Sequence, residues 1–134
     1  MLRRHFIAGM AALAVCTALP AVAGPNVVDY RPGVIEDALA AGKTVFVDYS
    51  ADWCLTCKSQ ERTVSRLVEE NPAYQQAMLF VRVDWDDYRK AAVTLDRNIP
   101  RRSTLLVLKG NRELGRIVAG TSKADIKALL DKGL

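Results

Sequence analysis

Residues 44–58 read Thr-Val-Phe-Val-Asp-Tyr-Ser-Ala-Asp-Trp-Cys-Leu-Thr-Cys-Lys, and a change of pattern inside them decides the fold. Thr44 to Tyr49 is a run of branched and aromatic residues interrupted by one acid, the signature of a strand buried within a sheet. From Cys54 onward no Gly or Pro occurs until Asn71-Pro72, so a long helix is predicted over Cys54–Glu70. A strand handing over to a helix here puts Cys54 at the helix N-terminus, where unpaired N–H groups and the positive dipole end favour a thiolate. Cys57, one turn further in on the same side, is placed to close a disulfide with Cys54. The pattern therefore predicts dithiol redox chemistry, with an exposed Cys54 attacking a partner and Cys57 resolving the mixed disulfide.

Outward from this stretch the periods change in order, with no repeat and no low-complexity segment. Val27-Val28 reads as a short first strand. After Pro32-Gly33, the spacing of Val34, Ile35, Ala38 and Leu39 predicts a helix stopped by Gly42. Leu79–Asp84 is a second strong strand, and Asp86–Arg97 is expected to be one helix with acids in its first turn. Leu105–Leu108 and Leu114–Val118 flank the turn signal Gly110-Asn111 and predict an antiparallel hairpin. Ser122, with Asp125 three residues on, starts a last helix carrying Ile126, Leu129 and Leu130. The expected fold is α/β, with a mixed central sheet flanked by helices on both faces. Its helix-linked strands are expected to be parallel through right-handed crossovers.

The 134 residues are 50% hydrophobic and 25% charged, the balance of an ordinary globular domain. Residues 1–23 stand apart: Arg3, Arg4 and His5 precede an apolar run from Phe6 to Leu19, and Ala21-Val22-Ala23 offers a small-x-small cleavage site. They read as an export signal, leaving one domain over residues 24–134 and a periplasmic protein. Arg3-Arg4-His5-Phe6-Ile7 also has the form of a twin-arginine signal, although the short basic region favours the general secretory route. Anchoring by an uncleaved signal or by lipidation at Cys16 is the lesser reading: the apolar run is short of the ~20 residues of a spanning helix, and Val15 is too large for a lipoprotein box. Removing the segment takes Arg3 and Arg4 from the 19 basic residues and no acid from the 15, so the domain carries about +2. That gives nucleic acid no electrostatic purchase.

The only histidine, His5, and one of three cysteines, Cys16, leave with the signal. The remaining chain cannot build a Ser-His-Asp or Cys-His site, nor a four-ligand Cys or Cys/His zinc site. A single bridge from Cys54 to Cys57 constrains almost no chain, so the pair is explained by reactivity and not by stapling. No metal is assigned, and the redox-active pair is the only cofactor expected.

Val45 to Lys58, with Glu61 and Asp84-Trp85, resembles the thioredoxin family, and most closely the C-terminal periplasmic domain of the membrane electron carrier DsbD. The likeness implies a thioredoxin-like fold and the reduction of disulfides in exported proteins, with electrons from a membrane donor of DsbD type and a monomeric state. It also implies that Asp48 lies buried beneath the cysteines and exchanges protons with them, in keeping with its apolar neighbours Val45, Phe46, Val47 and Tyr49. Glu61, four residues after Cys57 on the same helical face, is implied near the same pocket. Negative charge there raises a thiol pKa, so Cys54 is expected to stay protonated at neutral pH until a partner docks. Trp53 is expected to shield the motif and take part in docking.

One departure from the family lies at Asn98-Ile99-Pro100-Arg101-Arg102-Ser103-Thr104. Thioredoxins place a cis-proline just before this strand, where the neighbouring backbone pairs with substrate. An ungapped match puts Ser103 in its place, with Thr104 beside it, unless Pro100 serves after a local shift. Arg101 and Arg102 either favour acidic partners or are plain solvated charges.

Three functional classes follow: an exported thiol-disulfide reductase or interchange protein, an oxidase or isomerase, and a non-catalytic module holding copper(I) between Cys54 and Cys57. The neutral Leu55 and Thr56 between the cysteines argue against a strong oxidant. Asp48 and the family likeness argue against the copper module.

Overall fold

The computed structural model describes residues 24–134; the export-signal reading of residues 1–23 lies outside the described residues. The elements run β1 (Val27–Asp29), α1 (Val34–Ala40), β2 (Thr44–Ser50), α2 (Leu55–Glu70), α3 (Ala73–Ala77), β3 (Met78–Asp84), α4 (Trp85–Tyr88), α5 (Ala92–Leu95), β4 (Thr104–Lys109), β5 (Arg112–Val118) and α6 (Lys123–Asp131). The five strands form one mixed sheet in the order β1-β3-β2-β4-β5. β3 pairs in parallel with both β1 and β2, while β4 is antiparallel to β2 and to β5.

All seven residues of β2 are buried, as expected of a central strand covered on both sides. Its alternation sorts the core into two layers. Val45, Val47 and Tyr49 join Val81, Val83, Leu106 and Leu108 against Ile35 and Ala38 of α1 and Val93 of α5. Phe46 joins Phe80, Leu105 and Val107 against Val64, Leu67 and Val68 of α2 and Ile126, Leu129 and Leu130 of α6. α2 begins one residue later than predicted, with Cys54 as its N-cap. α6 begins as predicted, Ser122 Oγ accepting from the Asp125 N–H.

Two expectations need correction. The helix predicted over Asp86–Arg97 is broken into α4 and α5, with Ala91 extended between them. In one continuous helix Tyr88 and Val93 would sit about 140° apart on the wheel; the break lets both pack into the same core layer. Thr94 Oγ1 stabilises it by donating to the Tyr88 carbonyl at 2.7 Å. The second correction is that β4, although linked to β3 through helices, is not parallel to it. β4 starts beside the end of β2, with Thr104 opposite Tyr49, and runs back to set Lys109 opposite Thr44.

Candidate active site

β2 ends at Ser50, and a short turn delivers the Trp53-Cys54 step to the first turn of α2. Cys54 and Cys57 are joined in a disulfide, their Cα atoms 5.3 Å apart. The Cys57 N–H also donates to Cys54 Sγ at 3.2 Å, so the sulfur takes the place of a capping oxygen at the helix N-terminus. The sequence led us to expect an exposed Cys54. It is only 3% exposed and Cys57 is fully buried, because both sulfurs pack with Ala51 and Trp85. The exposed apolar groups of the motif are Trp53, at 56%, and Leu55, at 80%.

Trp53 is held from two sides. Its indole N–H donates to Asp86 Oδ2 at 2.9 Å, and the Arg102 guanidinium lies over its ring, 4.5 Å from the centroid. Arg102 is thus not a freely solvated charge; Arg101 Nε donates to the Arg102 carbonyl.

Ser103, and not Pro100, lies against the cysteines. Its hydroxyl is 3.2 Å from Cys54 Sγ and 3.1 Å from Cys57 Sγ, whereas Pro100 is exposed. No peptide bond among the described residues is cis, and Ser103 takes φ 63°, a left-handed conformation uncommon for residues other than glycine. Its backbone is fully engaged inside the fold. The N–H donates to the Tyr49 carbonyl at 2.7 Å, and the carbonyl accepts from the Ala119 N–H at 2.8 Å and Gln60 Nε2 at 3.0 Å. Thr104 is buried in β4, its hydroxyl donating to the Arg101 carbonyl. Neither residue presents the open backbone expected of a substrate-docking loop.

Asp48 is buried, one pleat along β2 from Phe46, on the side of the sheet that faces α2. Its register partner on β3 is Arg82. Burial pushes the Asp48 carboxyl up to about 7, the charge of Glu61 adds to this, and Arg82 opposes it. Asp48 Oδ1 has no hydrogen-bond partner among the described residues. Glu61 reaches over from α2, accepting from Ser50 Oγ at 2.7 Å and lying 3.8 Å from Arg82 Nε. Arg82 in turn binds Asp52 at 2.8 Å. These acids, Arg82 and Lys58 line a cleft of about 340 Å³, which connects the buried carboxyl to solvent. The sequence pointed to Asp48 and Glu61 but not to Arg82, Gln60 or the sulfur contacts of Ser103. A signal for Arg82 was present: it is the one charge inside an otherwise apolar strand core, Leu79 to Val83.

A disulfide at a strand-to-helix junction, over a buried acid, is the decisive arrangement, and comparison with known proteins agrees with it. The thioredoxin family model matches residues 28–132. The chain belongs to the thioredoxin family. A thioredoxin of Echinococcus granulosus is 29% identical over 96 residues, 72% of this chain and 83% of that protein. The crystal structure of Trxlp from Edwardsiella tarda superposes with a TM-score of 0.65 at 33% identity, covering 77% of this chain and 97% of that one. The thiol:disulfide interchange protein DsbD of Pseudomonas fluorescens matches at 50% identity, but over 32 residues, 24% of this chain and 6% of that protein. The protein is a thiol-disulfide oxidoreductase of the thioredoxin family, with Cys54 and Cys57 as its redox pair.

Proposed function

We propose that this thioredoxin-family protein is an exported, periplasmic reductase that passes electrons from a DsbD-type membrane donor to disulfides of extracytoplasmic proteins, acting as a monomer with no cofactor beyond its cysteines. The observation that carries the reductase direction is the buried Asp48, its carboxyl raised to about 7 beside Glu61, beneath the motif. An acid of that pKa takes up and releases a proton near neutral pH, which suits a dithiol that must shed protons as it becomes a disulfide. Its charge above pH 7 disfavours a standing thiolate, in keeping with a donor that waits for a partner. Export is supported by the basic, apolar and small-residue pattern of residues 1–23. The DsbD-type donor is supported by the short match to a DsbD protein and by the likeness of Val45 to Lys58 to that domain.

In this reading Cys54 attacks, Cys57 resolves, Asp48 exchanges protons through the cleft shared with Glu61, and Trp53 with Leu55 forms the apolar contact for partners. The copper(I) alternative would use the same two thiols; the buried Asp48 beneath them and the thioredoxin family match favour the redox reading. The test is a redox titration of Cys54/Cys57 against glutathione, together with alkylation trapping of the pair in cells with and without the membrane donor. A potential as reducing as cytosolic thioredoxins, and oxidation of the pair when the donor is lost, are expected. A strongly oxidising potential would move the protein to the oxidase class. N-terminal sequencing of the exported form should begin at Gly24.

A further inference from the structure

A serine at a fully buried position, held at φ 63° where glycine is favoured, calls for a reason. Its hydroxyl supplies one. Among the described residues its hydrogen-bond partners are the two sulfurs, at 3.2 and 3.1 Å. The Cβ that carries it cannot drift, because the backbone N–H is tied to Tyr49 and the carbonyl to Ala119 and Gln60. Gln60, itself fully buried, fixes this geometry by donating through Nε2 to Ser103 O at 3.0 Å and to Gly120 O at 2.9 Å. A rotatable O–H between two sulfurs, on an immobile base, can serve either one without moving the chain.

We propose that Ser103 is a catalytic residue whose hydroxyl donates a hydrogen bond to whichever sulfur carries negative charge, Cys54 before attack and Cys57 during resolution. This rests on the reading of Cys54 as the attacking thiol. In the first step the Cys54 thiolate forms a bond to one sulfur of the partner disulfide, and the other sulfur leaves with the bonding pair as a thiolate. In the second, Cys57 loses its proton and bonds to Cys54 Sγ, releasing the first sulfur as a second thiolate; the Cys57 proton ends on one of the two product thiols. Two electrons pass to the partner, and Ser103 keeps its proton throughout. Its contribution is to the charged states, since a hydrogen bond to an ion is stronger than one to a neutral sulfur. It acts with the Cys57 N–H and against the negative charge of Asp48 and Glu61.

The experiment is the pH dependence of iodoacetamide alkylation in the reduced protein, with the modified cysteine located by peptide mass, for wild type, Ser103→Ala and Ser103→Gly. Glycine relieves the positive φ, so that variant folds even where alanine does not. The surrounding charges, Asp48 from β2, Arg82 with Asp52, Glu61 and Lys58 from α2, Asp86 from α4 and Arg102 from the preceding loop, are the same in all three proteins. The comparison therefore isolates the hydroxyl. Both variants are expected to raise the apparent pKa of Cys54 by about one unit, a tenfold loss of thiolate below that pKa, and to shift the glutathione equilibrium toward the disulfide. An unchanged or lowered pKa in both folded variants overturns the proposal. If Cys57 proves to be the alkylated residue and its pKa still rises in both variants, the assignment of the attacker fails while the role of Ser103 stands.

Discussion

On the face of the sheet covered by α1, α4 and α5, the inward positions of the three central strands include Val45, Val47, Tyr49, Val81, Val83, Leu106, Leu108 and Thr104, and the two hydroxyls among them are satisfied internally, Tyr49 donating to the Val93 carbonyl and Thr104 to the Arg101 carbonyl. On the face beneath α2 and α6 the same strands start just as apolar, with Phe46, Phe80 and Val107, and then turn polar at Asp48, Ser50 and Arg82. The change takes one pleat, about 7 Å along β2. It falls where α2 begins, so the helix that covers the apolar half also supplies the cysteines and Glu61 to the polar half. A single sheet thereby separates stability from chemistry by face and by height, and the buried charge is tolerable only because a cleft opens beside it.

The sharpest break in that comparison is at the sulfurs. Cys54→Ser should reduce turnover of a protein disulfide to background and trap no partner, while Cys57→Ser should accumulate mixed disulfides; equal trapping by both would remove the division of roles. On the apolar face, Leu106→Ala deletes a fully buried side chain and should cost ~2–5 kcal/mol in urea unfolding, with the alkylation profile of Cys54 unmoved. A shifted profile would mean that the two faces are coupled after all.

Asp48→Asn should act in the opposite sense. Folding raises the carboxyl from 3.8, the value of a free aspartate side chain, to about 7, so the folded state holds the extra proton between those values. Its destabilising effect is absent below about pH 4, grows as pH rises, and is complete above about pH 7. The asparagine variant should therefore be more stable than wild type by on the order of 2–4 kcal/mol at pH 8, converging with it toward pH 4, and slower in turnover. Parallel stability curves from pH 4 to 8 would show that Asp48 titrates as an ordinary surface acid. The smallest effect is expected from Arg82→Gln, which removes the one cation opposing the shift. The Asp48 carboxyl should then titrate above its present value, as followed by carbon-13 NMR.

How much of this was legible varies with the physics involved. β2, α2 and the capped start of α6 were readable because their signals are local: a branched apolar run, a stretch without breakers, a Ser-x-x-Asp start. The site pair Cys54 and Cys57 and the burial of Asp48 followed from the same local patterns. The break between α4 and α5 was not readable, since it answers to two core positions, Tyr88 and Val93, that only tertiary packing makes face the same way. The direction of β4 is defined by its pairing along β2, far away in the chain, which no single window contains. The burial of Cys54 against Trp85 and the sulfur contacts of Ser103, 49 residues away along the chain, are tertiary, and a sequence match could place Ser103 in a column without revealing what its hydroxyl touches.

The cap at the start of α2 makes the protein self-reporting. The amide N–H of Cys57 donates to Cys54 Sγ across an N···S distance of 3.2 Å, so the proton's magnetic resonance frequency must follow the charge and bonding of that sulfur. One backbone signal, in an unlabelled thiol pair and without a fluorophore, distinguishes thiol, thiolate and disulfide, and its exchange rate with solvent records how often the first turn opens.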